Sequence, residues 1–200
     1  PTANKLMPCF KFRKAWAFLG VALLATPFSW SQSLSSRVAV CGACHGPQGN
    51  SVIQDIPSLA GQPKVFLENQ LVLIREGMRD IPQKKGVLDN VADAELAALA
   101  QHYSTQPSHK PGKSTRPDLF ARGEALAKDM RCGICHLPNY VGREQMPRLA
   151  GQREDYLLHT MRSMKSNQVA GRDPIMTASL YGISDADLQA LANYLAHTAP

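Results

Sequence analysis

Four cysteines and two histidines of this 200-residue chain fall into a repeated pentapeptide, Cys41-Gly42-Ala43-Cys44-His45 and Cys132-Gly133-Ile134-Cys135-His136. Two thiols at this spacing reach one face of a porphyrin and add to its two vinyl groups. The histidine that follows then sits under the iron as fifth ligand, and CxxCH is the attachment signal for c-type haem. Two other chemistries use paired cysteines. A CxxC redox disulfide wants a thioredoxin-like strand pattern, and no convincing period-2 strand occurs here. A zinc site wants four ligands in a tetrahedron, and each copy offers three in a row. The expectation is therefore two haem c groups and two irons, attached at Cys41, Cys44, Cys132 and Cys135, with His45 and His136 as proximal ligands.

The second axial ligand must come from elsewhere, and a thioether there raises the reduction potential and suits electron transfer. Met176 lies 40 residues after His136, in an expected loop marked by Asp173 and Pro174. Met161 and Met164 compete, but their helical setting suggests core packing. A ligating histidine usually donates its other ring N–H to a carbonyl. The carbonyls of Pro57 and Pro147, in Pro57-Ser58-Leu59-Ala60-Gly61-Gln62 and Pro147-Arg148-Leu149-Ala150-Gly151-Gln152, are candidates for that bond. The alternative for these blocks is a rigid turn that only reverses the chain.

The elements that must position these residues are duplicated. The pentapeptides are offset by 91 residues, the Pro-x-Leu-Ala-Gly-Gln blocks by 90, and Val91-Ala92-Asp93-Ala94-Glu95-Leu96 returns as Ile183-Ser184-Asp185-Ala186-Asp187-Leu188 at an offset of 92. Three blocks in one order at nearly constant offset mean a duplicated domain. Between the copies Pro107, Pro111, Gly112 and Pro117 mark a polar linker. In the first copy Val65, Phe66, Leu71, Val72, Ile74 and Met78 predict a helix over 64–78, frayed or ended by Gly77, and Leu96, Leu99, Ala100 and Tyr103 predict another over 93–103. The second copy repeats them over 154–165 and 185–196, the last opened by a Ser184–Asp187 capping box, and a further helix over 119–130 leads into its CxxCH. The expected fold class is all-α: two tandem domains, each a few short helices packed around a covalently bound haem. Such small cores are marginal alone. Aromatic residues make up only 6% of the chain, and the flat macrocycle supplies the missing core.

Apolar residues at 44% and charged residues at 19% exclude a disordered chain and a multi-span membrane protein. The net charge of +6 is concentrated at the start: Lys5, Lys11, Arg13 and Lys14 face no acid within residues 1–31. The folded part is nearly balanced and carries no basic stripe, so nucleic acid is not an expected partner. A basic segment, the apolar run 15–28 and small residues after it describe a secretory signal over 1–33. The run falls short of the roughly 20 residues of a spanning helix. Cleavage leaves a free periplasmic protein; an uncleaved signal leaves one tethered at the membrane surface. The expected domains are 34–105 and 119–200, joined by a linker over 106–118.

With residues 38–46, Gly49-Asn50-Ser51, both Pro-x-Leu-Ala-Gly-Gln blocks and Gly86-Val87-Leu88-Asp89, the chain resembles the cytochrome c4 family of two-haem class I cytochromes c over essentially its whole length after the signal. The resemblance implies two cytochrome c folds related by a pseudo-twofold axis, with haems facing each other across the interface. It implies electron shuttling in the periplasm between a respiratory donor complex and a terminal oxidase or other acceptor. It also exposes one departure. The family's first domain places its distal methionine three residues before the Val87 position, and that residue here is Lys84, followed by Lys85. Three arrangements follow: Lys84 binds the iron as a neutral amine, the metal outcompeting its proton; Met78 reaches in through a rearranged loop; or the site is open. Nitrogen in place of a thioether lowers the potential of the first haem below that of the second. An electron carrier without substrate chemistry is the leading reading. A haem enzyme is the alternative, or an electron-accepting partner of a dehydrogenase such as one that oxidises thiosulfate. Thiosulfate dehydrogenases of this plan use a distal cysteine, and the only remaining cysteine here, Cys9, lies in the signal.

Overall fold

The computed structural model describes residues 30–166, 171 and 173–200, with side chains from residue 34. The expected signal lies outside the described residues as far as position 29. Among the described residues the chain is helical, with one isolated bridge between Arg143 and Met146. The first unit holds α1 (Trp30–His45), α2 (Lys64–Arg75), a 3₁₀ turn at Pro82–Lys84 and α3 (Asp93–Ser104). The second holds α4 (Pro117–Asp129), α5 (Gly133–His136), α6 (Glu154–Lys165), α7 (Pro174–Ser179) and α8 (Asp185–His197). No helix among the described residues is long and apolar enough to cross a membrane.

The 3.6-residue period places the core of each unit. Leu96, Leu99, Ala100 and Tyr103 share one face of α3, and all four are buried. Each buried leucine contributes about 2 kcal/mol of transfer free energy. Helix α2 differs from its sequence reading. Leu67 is its buried residue, Val65 is partly exposed, and Met78 lies beyond the helix with half its surface in solvent. The helix stops early because Gly77 turns into the left-handed region at φ 68°, with its N–H donating to the Ile74 carbonyl. In the second unit α8 packs on α4 and α6, and Leu188, Leu191 and Leu195 join Leu157 and Met161 in one core. The α4–α8 crossing depends on Gly123: a Cβ there would stand 2.1 Å from the Ala190 carbonyl oxygen. Ser184 caps α8, its Oγ accepting from the Asp187 N–H at 3.1 Å, as the capping box predicts.

The duplication is visible in the turns as well as the helices. The Gly49 carbonyl accepts the N–H groups of Leu59 and Ala60 at 2.7 and 3.0 Å. The Tyr140 carbonyl accepts those of Leu149 and Ala150 at 2.8 and 3.1 Å. Both residues have positive φ, 78° and 56°. The first copy needs glycine there, because a Cβ would meet the Tyr103 ring at 2.7 Å. The second copy carries a tyrosine at strained φ, and its ring packs edge-on against Tyr194 at 5.7 Å. In each unit these bonds fold the Pro-x-Leu-Ala-Gly-Gln block back over the CxxCH segment.

Candidate haem sites

Cys41, Cys44 and His45 occupy the last turn of α1, whereas Cys132, Cys135 and His136 follow a break after α4 where Arg131 takes φ 56°. All four thiols are unpaired; Cys44 and Cys135 face solvent and Cys41 and Cys132 are partly covered. Burial pushes the Cys41 and Cys132 thiols up, so both stay protonated near neutrality. Among the described residues no three His, Cys, Asp or Glu side chains gather as a metal site.

The two histidines are buried, with 5% and 3% of their surfaces exposed. His45 Nδ1 donates to the Pro57 carbonyl at 2.8 Å, and His136 Nδ1 donates to the Pro147 carbonyl at 2.9 Å. Each bond fixes the tautomer and leaves Nε2 with a free lone pair. His136 Nε2 is buried without any hydrogen-bond partner. An orphaned acceptor of this kind costs about 1–3 kcal/mol unless something binds it. A haem iron answers that need, and the adjacent cysteine pair supplies its covalent attachment, so the residues present fit the cofactor. Burial pushes the pKa of both imidazoles down; for His45 the nearby Lys84 adds to burial, the Pro57 bond opposes, and the value falls to about 4.

The distal candidates differ between units. Lys84, half-buried at the end of the 3₁₀ turn, places Nζ 3.1 Å from His45 Nε2 and donates to it. Lys85 points away and lies 3.9 Å from Asp80. In the second unit Met176 stands in the short helix α7, where its sequence setting suggested a loop. Asp173 caps α7, its carboxylate accepting from the Ile175 and Met176 N–H groups. Met176 is half-buried against the second core, which also contains Met161 and Met164.

Two further pairs of residues join the units, and motif spacing alone did not assign them a role. Gln62 Nε2 donates to the Arg148 carbonyl and Gln62 Oε1 accepts from the Arg148 N–H, both at 2.9 Å. Gln152 treats Ser58 the same way, at 2.9 and 2.8 Å. The signal was present in the sequence as the glutamine that ends both repeated blocks. Arg148 is itself 2% exposed, its guanidinium donating to the carbonyls of Ala60 and Ala150, and burial pulls its pKa down to about 10. At the margin Arg153 Nη1 donates to the Ser51 carbonyl at 3.2 Å, and Asp155 accepts from the Asp55 N–H at 3.2 Å.

The chain is similar to known proteins. Residues 120–199 match the family model for cytochrome c. The chain is 31% identical over 188 residues to cytochrome c4 of Pseudomonas aeruginosa, covering 88% of this chain and 92% of that one. It is 34% identical over 194 residues to the thiosulfate dehydrogenase electron acceptor of Thiomonas intermedia, covering 91% and 88%. Its fold superposes on reduced recombinant cytochrome c4 from Pseudomonas stutzeri with a TM-score of 0.77 at 30% identity, covering 84% of this chain and 97% of that one. On the residues, the fold and these relatives together, the chain belongs to the cytochrome c4 family of dihaem c-type cytochromes, which carry electrons.

Proposed function

We propose that this chain is an exported carrier that takes electrons from a respiratory donor and passes them to a terminal oxidase or another periplasmic acceptor. Residues 1–33 serve as its export signal, 34–105 and 119–200 as its two redox domains, and 106–118 as their linker. The carrying observation is the pair of buried histidines whose Nδ1 protons are held by Pro57 and Pro147, so that each Nε2 presents a lone pair, to Lys84 Nζ in the first unit and to no hydrogen-bond partner in the second. Haem supplies a one-electron iron couple when bound. His45 and His136 hold the metal, Cys41, Cys44, Cys132 and Cys135 hold the macrocycle, and Pro57 and Pro147 orient the imidazoles.

Lys84 would supply the further donor to the metal of the first site and Met176 that of the second. The 3.1 Å approach of Lys84 to the lone pair that the metal needs supports the first assignment over half-exposed Met78. An amine donor makes the first site the lower in potential, and a thioether makes the second the higher. Electrons received by the chain then rest on the second domain.

Likeness to the Thiomonas intermedia protein favours a second reading of the partner: a dehydrogenase that oxidises thiosulfate as donor. One set of measurements tests the proposal. Stopped-flow reduction of the oxidised holoprotein by candidate donors, with EPR-monitored redox titration, should give fast reduction, two low-spin signals and the lower potential at the first site. A first site of higher potential, or turnover of thiosulfate by the chain alone, would overturn it.

A further inference from the structure

The two glutamines that end the repeated blocks do more than close the domain boundary. The amide linking Pro57 to Ser58 has His45 on its oxygen at 2.8 Å and Gln152 Oε1 on its N–H at 2.8 Å. The amide linking Pro147 to Arg148 has His136 on its oxygen and Gln62 Oε1 on its N–H, both at 2.9 Å. A peptide unit is one conjugated group. A hydrogen bond accepted from its N–H end raises the electron density at its oxygen and strengthens the bond made there. The imidazole that donates to that oxygen becomes a richer donor to its metal, which favours the oxidised state. Each histidine is thus one amide away from a glutamine of the other domain. Gln62 and Gln152 are 4% and 3% exposed, so water does not compete for these bonds.

We propose that Gln152, in the second domain, is a positioning residue for the first haem's ligand His45, and that Gln62, in the first domain, is one for His136. Contact between the domains then sets both potentials through crossed, single-amide connections. A primary amide gives both the acceptor and the donor that the opposing N–H and C=O require. Asparagine, one methylene shorter, would not span the same gap. The inference rests on the reading of two histidine-ligated haems.

The test uses the holoprotein in three forms, Gln152→Leu, Gln62→Leu and Arg153→Gln. The last removes the Arg153–Ser51 bond between domains and leaves both amides untouched. Haem content per chain is measured first: fewer than two haems in the wild type would refute the functional reading, and this inference with it. Potentials are then read site by site from separate EPR signals, and domain contact from small-angle scattering. Gln152→Leu should favour reduction of the first haem severalfold and leave the second unchanged; Gln62→Leu should do the reverse. A tenfold change corresponds to about 59 mV for one electron. Arg153→Gln should move neither. Equal shifts at both sites, a shift confined to the glutamine's own domain, no shift with the contact intact, or equal effects from Arg153→Gln would each overturn the proposal. If a leucine variant fails to hold its haems, Gln152→Glu decides. Its carboxylate still accepts from Ser58 and should lower the first potential more than the second; any other result counts against the crossed connection.

Discussion

The Lys84 amine lies 3.1 Å from the one ring nitrogen of His45 that the Pro57 carbonyl leaves free. The second unit offers a buried His136 Nε2 with no hydrogen-bond partner, and a methionine as distal candidate. Two copies of one repeated pattern therefore offer different distal candidates.

Replacing Lys84 tests this directly. Lys84→Met restores a thioether and should raise the first-site potential on the order of 0.1 V, within the roughly 0.8 V range that axial ligands span. The EPR signal of nitrogen–nitrogen ligation should disappear, while the second site is unmoved. An unchanged spectrum would mean that Lys84 is not a ligand.

Met176→Ala makes the converse change. Loss of the thioether should lower the second-site potential on the order of 0.1 V. It should also convert that site to a high-spin or water-bound form visible by EPR. Met161→Leu, a volume-conserving change in the core, should leave both spectra intact and cost less than about 1.5 kcal/mol.

Gly123→Ala probes the helix crossing. In an exposed helix the change would gain nearly 1 kcal/mol. Here the new methyl would stand 2.1 Å from the Ala190 carbonyl oxygen and 2.6 Å from Tyr194 Cβ, both on α8. Overpacking outweighs propensity, and urea unfolding should show a loss of about 2 kcal/mol.

The domain boundary should weaken in acid. Asp155 is partly buried, which raises its pKa, but the Arg153 guanidinium and the N–H groups of Asp55 and Tyr156 outweigh that effect and hold it below the ordinary 3.8. The unfolded chain therefore binds the proton first as pH falls. The contribution of Asp155 is fully present above pH 3.8 and is lost as pH falls through its folded value. The difference in thermal midpoint between wild type and Asp155→Asn should be present at neutral pH and vanish at the acid end. A constant difference across that range would contradict the assignment.

Much of the protein was legible before folding because its chemistry is local. CxxCH places two thiols for the porphyrin vinyl groups and one imidazole for the iron within five residues, so no tertiary fact is needed to expect haem. The period of α3 named its buried face, and the Ser184–Asp187 box named the start of α8. Repetition at 90–92 residues revealed the duplicated plan. Where the reading slipped, a neighbouring turn or cap had won. Met78 continued the apolar stripe of α2, but the left-handed turn at Gly77 put it outside the helix and into solvent. Met176 sat among loop signals, yet the Asp173 cap winds it into α7.

Residue types and spacing determined the cofactor, the helical class and the duplication, and named His45 and His136 as candidate proximal ligands, because each follows from bonds or periodicities a few residues long. The tertiary structure decided which lysine approaches His45, and how Gln62 and Gln152 grip the opposite domain across 86 and 94 residues of chain. Contacts at that separation depend on how two packed units meet, and no local pattern encodes that meeting.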